Sequence, residues 1–256
     1  MPNLRSRLTP TRLAMAVGAI AVYWWSIEGT ELSLIEIIKG LPDLWKLLRL
    51  MFPPDLSFAW QLWRPLIETL QIGILATFIG SVLALPMGFL AARNMSHPFV
   101  YYPIRLVLNV LRGISELIWA LLFVVAVGFG PFAGILALII FSVGIMGKLI
   151  AEAVEAVDPG PLEAMRSIGA SPWKVFLYGA LPQVLPIYLS YALYYWDHNT
   201  RQAAILGFVG AGGLGYTLFW SISVYQFERA TTAIIAIILL ITVMDWFCLF
   251  LRKRII

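Results

Sequence analysis

Apolar residues do not alternate along this chain; they come in long unbroken runs, at about 13–27, 66–92, 106–127, 132–150, 180–207 and 230–251. A helix needs about 20 apolar residues to cross roughly 30 Å of hydrocarbon. A membrane β-barrel would instead show segments of about ten residues with strict alternation. The runs are rich in Leu, Ile, Ala and Gly, so they predict an all-α integral membrane protein with six transmembrane helices.

Two polar stretches interrupt the runs. Residues 28–65 carry Glu28, Glu31, Glu36, Asp43 and Asp55, and 34–52 predicts an interfacial amphipathic helix anchored by Trp45. The second stretch fills 151–176. The chain therefore divides into a peripheral segment, 1–65, and a core, 66–256, with a polar loop at 151–182. The first run follows Arg5, Arg7 and Arg12 and ends in Tyr23, Trp24 and Trp25. A cleavable signal peptide would end in small residues, so an uncleaved first span is expected.

Composition agrees with the bilayer as solvent. Of 256 residues, 61% are hydrophobic and 12% charged, with mean hydropathy +0.86, whereas soluble domains carry about 25% charge. The net charge of +4 does not point to nucleic acid, because the basic residues sit at the ends of apolar runs. Clusters at the start, at Arg93 to Arg105, at Lys148 to Lys174 and at Arg252 to Arg254 fall on one side of a six-span chain. The excess of Lys and Arg on cytoplasmic loops then places both termini inside. Cys248 is the one cysteine and reads as a small apolar residue.

The second polar stretch has an internal order. Asp158-Pro159-Gly160-Pro161 opens a helix, since Asp caps and Pro suits the first turn. Leu162 to Ile168 continue it, with Glu163 expected near its positive end. Gly169 suits a left-handed stop, and Ser171-Pro172 starts a second short helix. Glu163-Ala164-Met165, three residues, Gly169, the nine residues from Ala170 to Tyr178, then Gly179-Ala180-Leu181-Pro182 resembles the EAA signature of binding-protein-dependent ABC permeases. Met165 and Gly179 depart from that pattern without altering its helix–turn–helix character. The resemblance implies that Glu163, Ala164, Arg166, Gly169, Ala170, Leu181 and Pro182 couple the chain to an ATPase. No G-x-x-x-x-G-K-[ST] string is present, Gly147-Lys148-Leu149 being nearest, so nucleotide hydrolysis is expected on another subunit.

Further segments narrow the likeness. Glu116 to Ala120, Gly128 to Gly134, Lys148, Glu152, Glu155, Pro182-Gln183, Asn199 with Arg201, and Gly207 to Gly215 are similar to the phosphonate-type permeases over roughly 68–254. The resemblance implies a type I ABC importer fold in the bacterial inner membrane and a homodimer of permeases. It also implies two ATPase subunits holding ATP and Mg2+, an extracytoplasmic binding protein, and alternating-access transport of phosphonate, phosphite or hypophosphite. Phe141-Ser142 replace an expected His-Thr, Ser115 stands where Pro or Asn is usual, and Asp197-His198 replace a Glu-led pair; these departures bear on the solute.

Ionisable groups inside apolar runs usually face a cavity or a partner. Glu116, Trp119, Phe141, Ser142, Asp197, Asn199 and Arg201 are the pathway candidates. Asp197 to Arg201 equally fit a helix end at the interface, and Arg201 fits either an anion or a pairing with Asp197. His198 has no second ligand at metal spacing, and no catalytic constellation emerges. Gly210 to Gly215 matches G-x-G-x-x-G, but a dinucleotide site needs a preceding strand. Gly207, Ala211 and Gly215 are small residues at helical spacing, which permits close helix approach; alternatively these glycines break the helix at a cavity. Together with Gly210, Gly212 and Gly213 they are the gate or dimer-contact candidates. An importer permease for another small solute and an ion-coupled secondary carrier, with Glu116 or Asp197 as proton relay, are the alternatives. A scaffold that carries nothing is a further one.

Overall fold

The computed structural model describes residues 10–30 and 33–255; the expectations on Arg5, Arg7 and Glu31 lie outside them. It separates into two compact units, residues 1–50 and 51–256. The first holds α1 (Pro10–Gly29) and most of α2 (Leu34–Met51). Along α2 an Asp43–Lys46 pair at 2.8 Å spans one turn, and the Arg49 guanidinium lies 5.5 Å from the Trp45 ring centre. The sequence change at residue 65 is one of character; by packing, the larger unit begins at Met51. The Thr231 hydroxyl donates to the Met51 carbonyl at 2.8 Å, and Asp55 meets Arg229 at 3.3 Å.

The larger unit contains α3 (Leu56–Ala59), α4 (Trp63–Ala91), α5 (Pro98–Gly113), α6 (Glu116–Val127), α7 (Pro131–Glu155), α8 (Pro159–Ser167), α9 (Pro172–Val175), α10 (Leu181–Leu206), α11 (Gly213–Ser223) and α12 (Phe227–Ile255). Asp55 caps α3. Its carboxyl is held below the ordinary carboxylate range by the Ser57 hydroxyl, with the Phe58 and Ser57 amides and Arg229 assisting.

Small residues set the packing. A side chain at Gly80 would come within 2.9 Å of Ser142, and one at Gly88 within 2.5 Å of Ile150. The equal offsets mean that α4 and α7 run parallel. Thr77 meets the Tyr195 carbonyl and Gly73 meets Thr200, so α10 runs antiparallel to α4. Such small-residue seams let helices approach where lipid gives no hydrophobic push between them.

Among the described residues, four helical segments are long and apolar enough to cross a bilayer: Leu56–Ala91, Pro131–Glu155, Pro172–Ser223 and Phe227–Arg254. The pair α5 and α6 is a fifth if it is one span, but it bends by 88° at Ile114–Ser115. The expected six spans are thus four or five by this measure. The run at 106–127 is not one straight helix, and the helix from the first run, α1, is diluted by Arg12, Ser26 and Glu28 and is not among them.

Gly88→Val should loosen the α4–α7 seam and lower stability by about 1–3 kcal/mol, the usual cost of overpacking. Gly113→Ala, where nothing lies within 4 Å of the added carbon, should leave the thermal midpoint in detergent unchanged.

Candidate functional site

At one end of the unit, α8 stands out from the spans. Asp158 caps it by accepting the Gly160 N–H at 2.9 Å. Leu162 is buried, and the α-carbon of Leu162 lies 3.5 Å from where a side chain on Gly179 would begin. Glu163, Ala164, Arg166, Ile168 and Gly169 are exposed. The helix begins at Pro159, so Glu163 falls in its second turn rather than near the positive end expected for it. Gly169 has φ +76° and closes the helix in the left-handed form that glycine adopts without strain. Ala170 is half-buried, its N–H bonded to the Met165 carbonyl at 3.1 Å.

The second short helix is not separate. After the single turn of α9, a π-helical turn at Phe176–Ala180 carries the chain straight into α10. The ring centre of the buried Phe176 lies 5.0 Å from that of Phe89 and 5.4 Å from that of the exposed Trp173, and this aromatic packing backs the wider turn. Leu181 packs on the same core, while Pro182 is exposed in the first turn of α10.

Midway along the spans lies a buried polar knot. Asn199 donates through Nδ2 to Thr77 Oγ1 at 2.9 Å and to Ser142 Oγ at 3.0 Å, and all three side chains are buried. It joins α4, α7 and α10. Ser142 and Asn199 therefore serve as helix-to-helix contacts within this chain, and neither lines an open cavity.

Glu116, at the bend between α5 and α6, lies 3.0 Å from His198 Nε2. The imidazole stacks on Phe141 at 6.2 Å and on Tyr194 at 6.4 Å, with Tyr195 edge-on. Trp119 donates its indole N–H to the Leu111 carbonyl at 3.1 Å, bracing the bend from inside. Arg201 pairs with Asp197 at 3.1 Å and with Asp245 of α12. Of the two roles open to Arg201, the structure takes the pairing. Its guanidinium ties the last helix to α10.

The glycine-rich segment breaks the helix. Gly207 ends α10 in a 3-10 turn, and Gly210, Gly212 and Gly213 have positive φ. Gly207 and Gly215 lie on opposite sides of the break and pack against each other, so with Ala211 they form no stripe on one helix. The loose ends are taken up within the chain. Gly130 N–H donates to the Gly210 carbonyl at 2.8 Å, Gly213 N–H to Glu68 Oε2 at 3.1 Å, and Leu214 N–H to Thr69 Oγ1 at 2.9 Å. Ala211 is buried against Gly134, and Phe129 lies on Gly210. A cavity of about 630 Å³ opens beside Glu68, Phe129, Gly212 and Tyr216.

Residues 84–256 match the family described as binding-protein-dependent transport system inner membrane component. The chain belongs to that family. The permease is 40% identical over 245 residues to a phosphite transport system permease protein of Stutzerimonas stutzeri, covering 95% of this chain and 88% of that one. A phosphate-import permease protein of Mycolicibacterium smegmatis is 43% identical over 208 residues, 80% of this chain and 39% of its own. A chain of the methionine ABC transporter, solved in inward-facing conformations, superposes with TM-score 0.67 at 23% identity, covering 79% of this chain and 99% of that one. The fold is that of the type I ABC importer permeases. The permease is the membrane component of a multi-pass inner-membrane importer. It works with an ATPase carried on another subunit and with a substrate-binding partner.

Sequence reasoning missed Asp245, Glu68 and Thr77. Asp245 is an acid inside an apolar run, the signal that singled out Glu116. Glu68, an acid inside the run at 66–92, carried the same signal, whereas Thr77 gave none, its partner lying 122 positions away.

Arg201→Ala leaves Asp197 and Asp245 facing one another and should cost about 1–2 kcal/mol. That is less than the ~3–5 kcal/mol of a fully buried pair, because Arg201 is 40% exposed. Adding Asp245→Asn should recover part of the loss in the thermal midpoint; no recovery would mean that carboxylate repulsion is not the cause.

Proposed function

We propose that the permease passes a small phosphorus oxyanion, phosphonate, phosphite or hypophosphite, by ATP-driven alternating access. The observation that carries this is the 40% identity over 95% of the chain to a phosphite transport permease. A match over 95% of this chain and 88% of the relative takes in more than a shared fold, so it bears on the solute. In this reading two permease chains, a second copy in the simplest arrangement, surround a shared pathway. ATP and Mg2+ bind on two ATPase subunits, and an extracytoplasmic protein delivers the solute.

The exposed face of α8, with Glu163, Ala164, Arg166 and Gly169, docks on the ATPase. Leu181 and Pro182 carry the movement into α10. Both termini lie in the cytoplasm, with α1 as the sixth span. Support for this orientation comes from the direction of the helices: the C-terminal ends of α4, α7 and α12, the last carrying Arg252, Lys253 and Arg254, point the same way as α8. Glu116, Trp119, Phe141, Ser142, Asp197, Asn199 and Arg201 border the moving elements. The break at Gly207, Gly210, Ala211, Gly212, Gly213 and Gly215 acts as a gate. Solute choice rests largely on the binding protein, since a pathway has to release what it admits.

Reconstitution with the ATPase and binding protein tests the solute. ATP-dependent uptake of phosphite, hypophosphite or methylphosphonate is expected, with sulfate excluded. Uptake by the permease alone in a proton gradient would favour an ion-coupled carrier instead. Glu163→Lys and Gly169→Asp should each lower ATPase co-purification and uptake about tenfold, the scale of a ~1.4 kcal/mol loss in docking. If both variants dock and transport normally, α8 is not the coupling element.

A further inference from the structure

Hydrogen bonds hold α8 at both ends, and they lead to different parts of the bundle. At its start the Asp158 N–H donates to Gln183 Oε1 at 3.1 Å, and Gln183 Nε2 donates to the Gly179 carbonyl at 2.8 Å. That end is tied to the foot of α10. At its other end Arg166 Nη2 donates to the Asn94 carbonyl at 2.6 Å, in the turn between α4 and α5.

From Asn94 the contacts continue. Its Nδ2 donates to the Val154 carbonyl at 2.8 Å. The neighbouring Glu155, last residue of α7, accepts the Arg93 N–H at 2.6 Å. Both Glu155 oxygens also accept from Arg105 Nη2 at 2.9 Å. Arg105 Nε donates to the Ala91 carbonyl at 3.0 Å, and its guanidinium lies 4.7 Å from the centre of the Tyr101 ring. One arginine on α5 thus fastens the last turn of α4 and the end of α7 together.

A lone exposed ion pair would not hold such a junction. This one is partly sheltered, with Arg105 and Glu155 26% and 29% exposed. Both carboxylate oxygens and a backbone N–H are engaged, and the guanidinium makes a backbone bond of its own. Charge-assisted, multiply bonded contacts fix orientation as well as distance. The arm they hold is α5, which leads to the 88° bend where Glu116 meets His198 of α10.

We propose that Glu155 and Arg105 are positioning residues that transmit the displacement of α8 to the α5–α6 arm, through Arg166 and the Asn94 turn. The α10 limb, held through Gln183, is moved in parallel. A push on α8 then reaches both sides of the Glu116–His198 contact, and the two limbs move as a pair. This rests on α8 being the docking element for the ATPase.

The test uses the complex with its ATPase subunit, carrying Cys248→Ser and spin labels on cysteines at the exposed positions Leu122 of α6 and Ile187 of α10. In the otherwise wild-type complex, ATP with vanadate is expected to shift the 122–187 distance. Glu155→Gln is expected to abolish or shrink that shift while the ATPase still co-purifies and hydrolyses ATP. Solute moved per ATP should fall about 2- to 30-fold, the range for residues that carry coupling. Arg105→Lys, which keeps the charge but not the fork, is expected to give a smaller loss. An undiminished shift in both variants overturns the proposal. So does joint loss of co-purification and hydrolysis, which would make the clamp a support for the docking surface only. A wild-type complex that neither binds the ATPase nor responds to ATP overturns the docking reading itself, and the relay with it.

Discussion

Hydrocarbon supplies no hydrogen bonds, so any backbone group released from a helix in the bilayer has to find a partner inside the protein. That constraint accounts for where this chain departs from straight helices. At Gly207–Leu214 the freed groups are met by Gly130, Glu68 and Thr69, from the α6–α7 turn and from α4. The Leu111 carbonyl near the bend at Ser115 receives the Trp119 indole N–H. Neither break stands alone; each is seated against a neighbouring helix, and those neighbours pack closely because α4 and α7 present glycines to one another. The seams and the breaks are therefore one arrangement.

The same reasoning covers side chains. Asn199 within the spans is bonded to Thr77 and Ser142, Arg201 to two carboxylates, and Glu116 to His198. Apart from the Arg201–Asp197 pair, which spans one turn of α10, each of these contacts joins different helices, so satisfying a polar group and holding the bundle together are the same act. Interhelical bonds of this kind contribute only about 0.6 kcal/mol on average. A knot of that strength fixes register at rest and is still weak enough to yield when helices slide.

Local signals made part of this legible in the sequence. Run length located α4, α7 and α12, the Asp158-Pro159 pair located the start of α8, and Gly169 located its end, because each depends on residues adjacent in the chain. The bend at 114–115 was written as Gly113, Ser115 and a first-turn Glu116, but the unbroken apolar run on both sides concealed it. The merger of α9 into α10 was not legible, because it depends on Phe89 packing against Phe176 from 87 positions away. Arg201 was left between an anion and Asp197, and Asp245, 44 positions on, completes the pairing. Pairings of that length belong to the fold, and no single-chain pattern announces them.

If the proposed oxyanion is the solute, these satisfied groups bear on how it would cross. A solute entering among α6, α7 and α10 would meet side chains already engaged with one another, and to hold it tightly the chain would have to give up existing bonds. The exchange of an internal contact for a solute contact is close to neutral, unlike the filling of an empty polar pocket, where every bond made is gained. Weak holding suits a conduit, because a site that binds strongly slows release. Discrimination then has to be made before entry, by a protein that closes around the solute in water and is free to bind it strongly. On the proposed reading, the membrane chain contributes timing, through α8, the Asn94 turn and the two limbs that meet at Glu116 and His198.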